Sequence, residues 1–217
     1  MHGLTRGLRI ELEKFRRRDG DRPGDYRHFE FVGSIYPGKV SFEEALARAR
    51  VRYPSMKGDF NGTTLIATNR QRVAINEEVN RRLAPPDAIL VKATPNPKAA
   101  SQPQDAYLWP GLILASATTD RRHLKNGLRY RIISLGQDVS LERVDDMGGA
   151  KSEPFSMTRE EVVRDLRLQH AITYDSSQAR TITGPLRLEQ TWHKHFSHRR
   201  LIVGLGRAPE GAQVEVR

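Results

Sequence analysis

The run TTLIATNRQRVAINEEVNRRL, Thr63 to Leu83, constrains the fold more than any other stretch. A short block of β-branched and apolar residues passes directly into a segment with apolar residues at helical spacing. TTLIAT, Thr63 to Thr68, reads as a buried strand. Asn69 is placed to cap the helix that follows, whose Val73, Ile75, Val79 and Leu83 supply a core face. Strand followed by helix is the elementary unit of an α/β fold. A second helix is predicted at SFEEALARARVRYP, where Ser41 and Glu44 form a capping box, Phe42, Leu46 and Ala49 make an apolar stripe, and Pro54 lies beyond the end. A chain of 217 residues suits one domain with an insertion, or two small domains, and a single unit is the simpler expectation.

From Ala84 the pattern changes. The prolines of APPDAILVKATPNPKAASQPQDAYLWPG exclude a long helix and leave a loop with one strand, AILVKA. GLILASATTDRRHLKNGLRYRIISLGQDVSLERVDD then gives three strand-like segments, with turns at KNG and LGQD. This predicts a small antiparallel β module over residues 107–146, inserted into the α/β domain. TREEVVRDL, opened by Thr158 with Glu161 as reciprocal cap, is expected to return the chain to the main sheet. LQHAIT then supplies a strand and SSQARTI a turn or helix start, so Thr173 to Gln178 fall at the carboxyl end of a strand, where open α/β sheets bind their ligands. About twenty residues later RRLIVGLGRAPEGAQVEV reads as another hydrophobic strand, ending on Arg207 between Gly206 and Ala208.

Charge narrows the class of partner. The 36 Lys and Arg outnumber 26 Asp and Glu, a formal net charge of +10 and a pI near 10.2. Such a balance favours an acidic partner such as a polynucleotide, and a preference for Arg over Lys suits phosphate and bases, although GC-rich coding sequence also raises Arg content. With no cysteine, disulfides, zinc fingers and thiol catalysis are excluded. MHGLTRGLRIELEKFRRRDGDRPGD is charged throughout and has no apolar core for export, and no spanning segment follows, so an intracellular protein, nuclear or cytoplasmic, with no membrane partner is expected.

Taken in order, these stretches resemble the second RecA-like lobe of superfamily 1 DNA helicases, in the Pif1 and RecD-like branch. AITYDSSQART is similar to that branch's motif V, A-x-T-x-H-K-S-Q-G-x-T, and LIVGLGRAP to its motif VI, Y-V-A-L-S-R-A. GLTRGLRIELEKF resembles motif IV, L-T-x-x-x-R, which would make Arg9 an arginine that approaches the terminal phosphate of ATP. LIATNRQRVAINEEVN is similar to the strand and helix that begin the lobe, typically ending in V-x-x-I-N, and WPGLILASATTDRRHLKNGLRYRI to its inserted β segment with an N-G turn. The resemblance covers Leu4 to Val216. It implies an α/β fold, a RecA-like (P-loop NTPase-type) lobe spanning 1–217. It further implies catalytic roles for Arg207 and Arg9, nucleotide binding at Gln178 and Ala179, and nucleic-acid binding at Thr173, Ser177 and Asn69. Single-stranded DNA, or RNA, would be the partner. The sequence departs from the motifs at Asp175 for His, Ser176 for Lys, Ala179 for Gly and Gly206 for Ser. An Asp in a groove meant for a phosphodiester repels it.

ATP and Mg2+ are implied by the resemblance, yet the sequence holds no G-x-x-x-x-G-K-[ST] loop to cradle phosphates, and MGGAKSEP has Ala150 where the last Gly is required. The lobe is therefore expected to lack its own P-loop, to bind ATP only weakly alone, and to need a first RecA-like lobe in cis or in trans. The alternative is a non-catalytic, basic nucleic-acid-binding module derived from such a lobe. Other readings of the same residues stay open. Thr173, Ser177 and Gln178 suit turn and cap duty, Arg207 a solvated strand end, and Tyr107 and Trp109 either base stacking or packing. His193, His195 and His198 in HKHFSH fit a surface loop better than a metal site, because no carboxylate or Cys lies near.

Overall fold

The computed structural model describes residues 23–56, 58–96, 102–120, 123–145, 148–178 and 180–217. Two helices come first, α1 (Pro23–Ser34) and α2 (Phe42–Arg52), then strand β1 (Thr63–Ile66) and helix α3 (Asn69–Leu83). The chain next makes a long antiparallel excursion through β2 (Ile89–Val91), β3 (Ala106–Leu108), β4 (Ile113–Ser116), β5 (Arg129–Leu135), β6 (Val139–Val144), β7 (Phe155–Met157), helix α4 (Arg159–Asp165) and β8 (Leu166–Leu168). It returns through β9 (Ala171–Thr173), β10 (Leu186–Leu188), helix α5 (His198–Leu205) and β11 (Val214–Val216).

The four strands outside the excursion form one parallel sheet in the order β11-β10-β1-β9. Leu65, Leu186, Leu188, Val214 and Val216 join Ala45, Ala49, Tyr53, Leu201 and Leu205 in a core beneath α2 and α5. Gly204 lets α5 lie against this sheet, because a Cβ there would stand 2.8 Å from Leu188 Cδ2. At the amino end of β1, Gly62 is required more strictly: a Cβ would fall 2.2 Å from the Pro185 carbonyl oxygen, the same carbonyl that accepts from Thr63 N at 2.9 Å. Backbone rather than side chain fills that space, so it cannot yield.

The excursion has its own core and sheet. β7-β6-β5-β4-β8 are antiparallel, β2 and β3 form a separate antiparallel pair, and Leu108, Leu114, Tyr130, Ile132, Leu141, Val162 and Leu168 are buried together. The expected three strands and the KNG turn are present, with Gly127 at φ +82° and Leu128 N donating to Lys125 O at 3.0 Å. The antiparallel sheet runs past residue 146, taking in β7 and β8. α4, which carries the full Thr158–Glu161 capping box, therefore leads into the module's edge strand and not back to the parallel sheet. LQHAIT is divided: Leu168 ends the antiparallel sheet and Ala171 begins the parallel one.

Three more local expectations are corrected. The cap of α3 is Thr68, whose hydroxyl accepts from Gln71 N, and Asn69 is the first helical residue. On α2 Ser41 accepts from Glu44 N, but the Glu44 carboxylate turns to Arg48. LIVGL is not a strand, because Leu201 to Leu205 form the second half of α5 and bury Leu201, Gly204 and Leu205 at helical spacing. The buried face of α3 also differs from the apolar one expected. Its Val73, Ile75, Val79 and Leu83 are half-buried, while Arg72, Asn76 and Asn80, spaced one turn apart, are buried. Asn76 Nδ2 donates to Leu168 O at 3.3 Å and Ala171 O at 3.0 Å, and its Oδ1 accepts from Ala171 N at 2.7 Å. Asn80 bonds both backbone groups of Tyr107, at 3.0 and 2.8 Å. A polar helix face is stable here because each amide replaces a strand partner where the chain passes between sheets.

Candidate nucleic-acid interface

The carboxyl edge of the parallel sheet gathers most of the residues singled out in the sequence. β1 and β9 are neighbours with Ile66 opposite Thr173, so the chain leaving β1 through Thr68 and Asn69 runs beside the turn that leaves β9. That turn is built from its own hydroxyls. Thr173 Oγ1 accepts from Ser176 N at 3.1 Å and lies 2.7 Å from Ser176 Oγ. Ser177, fully buried, donates its N–H to Thr173 O at 3.0 Å and its hydroxyl to Tyr174 O at 2.7 Å. Tyr174 anchors the turn from below: its phenol donates to Glu189 O at 2.9 Å beyond β10, its ring meets Phe196 edge-on, and burial pushes its pKa well above the usual phenol value.

Asp175 and Gln178 are the members of Tyr-Asp-Ser-Ser-Gln that, with Ser176, face solvent. Asp175 pairs with Arg200 at 2.8 Å. Repulsion of a phosphodiester by this carboxylate is thus offset by a guanidinium on α5, though an exposed pair of this kind contributes little to stability. Gln178 lines a cavity of about 170 Å³ together with Arg199, Arg200 and Ser197, the N-cap of α5. Nearby, Asn69 Oδ1 accepts from Arg72 Nε at 3.2 Å. Arg72 is buried beside Arg167, whose pKa falls to about 10 through burial first and Arg72's charge second, so the Arg167 guanidinium stays positive at neutral pH.

Arg207 follows α5 and reaches back to the turn. Its Nε donates to Val203 O at 3.0 Å, and its Nη1 to Arg180 O at 3.2 Å and Ser177 O at 3.4 Å. Its carbonyl accepts from Ile182 N at 2.9 Å. The side chain is half-buried and clamps α5 to the segment that carries Ser177 and Gln178, which is a different setting from a solvated strand end. Thr173, Ser177, Gln178, Asn69 and Arg207 therefore share one edge. Arg9 and Ala179 lie outside the described residues.

Gln190, the only described non-glycine residue with positive φ (58°), accepts at its Oε1 from Ala67 N at 3.1 Å and turns the chain so that Trp192 stands 69% exposed. Trp and Gln-Thr before a His-rich loop gave no periodic signal, and only the turn geometry shows the indole to be outside the core. Among the described residues no three His or acidic side chains converge as metal ligands; His198 Nε2 lies 2.6 Å from Ile35 O instead. No described helix is long and apolar enough to cross a membrane.

No protein-family profile matches the chain, and no curated protein matches it in sequence. Solved structures do match. The chain is similar to Pif1 helicase from Candida albicans at 15% identity and a TM-score of 0.59, covering 89% of this chain and 53% of that one. It is similar to Bacteroides Pif1 bound to ssDNA at 14% and 0.60, covering 88% and 48%. Bacteroides Pif1 in complex with ADP-AlF3 and ssDNA matches at 17% and 0.60, covering 95% and 51%. The chain spans about half the length of each, and its fold is that of a RecA-like lobe of Pif1 helicases with small antiparallel sheets added.

Proposed function

We propose that this chain is the second RecA-like lobe of an ATP-driven helicase that moves along single-stranded DNA, and that the carboxyl edge of its parallel sheet is the strand-binding surface. The observation that carries this reading is the likeness of nearly the whole chain to about half of Pif1 helicases, two of which hold ssDNA. The clustering of Asn69, Thr173, Ser177, Gln178 and Arg200 at the edge where α/β sheets bind ligands supports it.

The residues do not fit a complete ATP–Mg2+ site. No three His or acidic side chains converge among the described residues, and the Arg207 guanidinium donates to three backbone carbonyls. A first lobe, in the same protein or another chain, must hold the phosphates. The engagement of Arg207 favours a second reading, a basic module that binds the strand without turnover, in which Arg207 serves as a clamp.

Strand binding is tested by titrating the chain with labelled oligo(dT) across salt. Contact with about three phosphates predicts a log–log slope near −2, or about a twentyfold loss of affinity between about 50 and 200 mM salt. Salt-independent binding, or none, would sink both readings. Joining the chain to a Pif1-type first lobe separates them: strand-stimulated ATP turnover supports the motor lobe, and turnover that Arg207→Lys leaves unchanged refutes it.

A further inference from the structure

A cavity lies at the opposite end of the parallel sheet from the proposed strand-binding edge. It measures about 430 Å³ and occupies the seam between that sheet and the antiparallel module. Its walls are the residues that precede β1, β9 and β10, among them Gly62 and His170, and, from the module, Trp109 and Arg129. Arg180, on the segment leaving the 174–178 turn, completes it. Nothing in the strand-binding reading uses this space.

Three properties define what it can hold. Among the described residues Arg129 and Arg180 line it and no acidic residue does, a balance that suits an anion. Trp109 lines it together with the two arginines, and an aromatic with guanidiniums is the set of residue types that takes a flat ring next to a phosphate. His170 Nε2 is buried with no hydrogen-bond partner among the described residues, an unmet polar group of the kind that a ligand or an ordered water satisfies. The volume falls within the range of small-ligand sites. Gly62 keeps the floor open without a side chain, where the approach of Pro185 allows none.

We propose that this cavity binds one nucleotide unit, with the phosphate against Arg129 and Arg180 and the ring at Trp109. The unit is supplied either by a free mononucleotide or by a nucleotide of a bound strand. Because Arg180 also donates to Gln169 Oε1 at 2.8 Å, just before β9, occupancy would tighten the joint from which Thr173 and the turn project.

The experiment is a titration of the Trp192→Phe chain, which leaves Trp109 as its sole indole, with thymidine 5′-monophosphate. Saturable quenching of Trp109 is expected, with affinity falling about tenfold or more in Arg129→Met, as for loss of a charge-assisted contact, and thymidine lacking the phosphate binding correspondingly weakly. Arg180→Met is the second variant, and far-ultraviolet circular dichroism and the unfolding midpoint verify that both fold. Absence of saturable quenching, or equal affinity in both variants, overturns the proposal. Repeating the titration with oligo(dT) already bound identifies the source: competition means that the strand supplies the nucleotide, and simultaneous binding means a free one. If oligo(dT) binding fails while the mononucleotide titration succeeds, the lobe reading falls and this site stands; the reverse result removes this site alone.

Discussion

Asn76 offers the sharpest test of how the fold holds the proposed binding edge. The side chain is fully buried and joins three backbone groups, Leu168 O, Ala171 O and Ala171 N, at the point where the chain leaves the module's last strand and enters β9. Asn76→Ala strands a buried N–H and weakens two carbonyls, and since each unmet buried group costs about 1–3 kcal/mol, a loss of about 3 kcal/mol is expected. With a urea m-value of about 2 kcal/mol per molar, the unfolding midpoint should fall by about 1–2 M. Asn76→Leu restores volume but not hydrogen bonds and should lose nearly as much. Asn76→Asp adds a sign that packing cannot mimic. Its carboxylate keeps the bond from Ala171 N but faces two carbonyl oxygens, so its folded pKa rises above the unfolded value near 3.9. The variant should then be most stable at low pH and lose stability as pH rises through the folded pKa. Equilibrium urea unfolding at several pH values measures all three. If Asn76→Leu unfolds within about 0.5 kcal/mol of the parent, inside the range of neutral surface changes, the amide clamp contributes nothing and the account of α3 is wrong.

Trp192, exposed beside the proposed strand-binding edge, should act as a stacking platform: Trp192→Ala is expected to weaken oligo(dT) binding about tenfold and Trp192→Phe far less, read by fluorescence anisotropy. His170 is held neutral with its pKa pushed down to about 4, by burial first and the charge of Arg82 second. The unfolded chain takes up that proton near pH 6.5 and the folded one only near 4, so stability should fall as pH drops through this window, by at most about 3 kcal/mol, and His170→Gln should flatten that part of a pH–midpoint curve. Gly204→Ala should cost about 1–3 kcal/mol in thermal unfolding, because the added methyl meets the flexible end of Leu188, whereas Gly62→Ala, which meets the Pro185 backbone, should leave too little folded protein to measure. A Gly62→Ala chain that folds normally would contradict the close approach described at β1.

β1 and β4 were legible because they are apolar runs bounded by turn residues, whereas β10 (Leu-Arg-Leu) and β11 (Val-Glu-Val), each with a charge at its centre, carried no such signal. TTLIAT and the KNG turn carry their structure locally. What misled was burial that depends on distant partners. VAIN and EEVN look like an ordinary amphipathic helix whose apolar residues face inward, yet the inward positions are Arg72, Asn76 and Asn80, since they meet exposed backbone at a sheet junction and not an apolar layer. LIVGL has no period-2 or period-3.6 signature over so few residues, so strand and helix were equally compatible with it until the packing of Leu201 and Leu205 decided. Placement of Thr173, Ser177, Gln178 and Arg207 near one another was readable from motif order, whereas the partner of Asp175 was not, because Arg200 comes from another element.

These contacts make the proposed strand-binding edge one mechanical unit. Asn76 fixes where β9 begins, Tyr174 fixes the turn to the end of β10, and Arg207 fixes the same turn to α5. Nε and Nη1 of Arg207 are engaged with Val203 O, Ser177 O and Arg180 O, and because the donors form a rigid fork, turning the guanidinium toward a phosphate would weaken the bonds to Ser177 O and Arg180 O. In a motor lobe that exchange would loosen the very segment that carries Gln178, so phosphate contact and the grip on the strand would be coupled through a single side chain. In a non-catalytic module no exchange occurs, and the turn stays clamped whatever nucleotide is present. Hydrogen exchange at the amides of Ser177 and Arg180, whose own acceptors are Thr173 O and Ser177 O, separates the two. Faster exchange when a first lobe and nucleotide are added belongs to the motor, and unchanged protection belongs to the clamp.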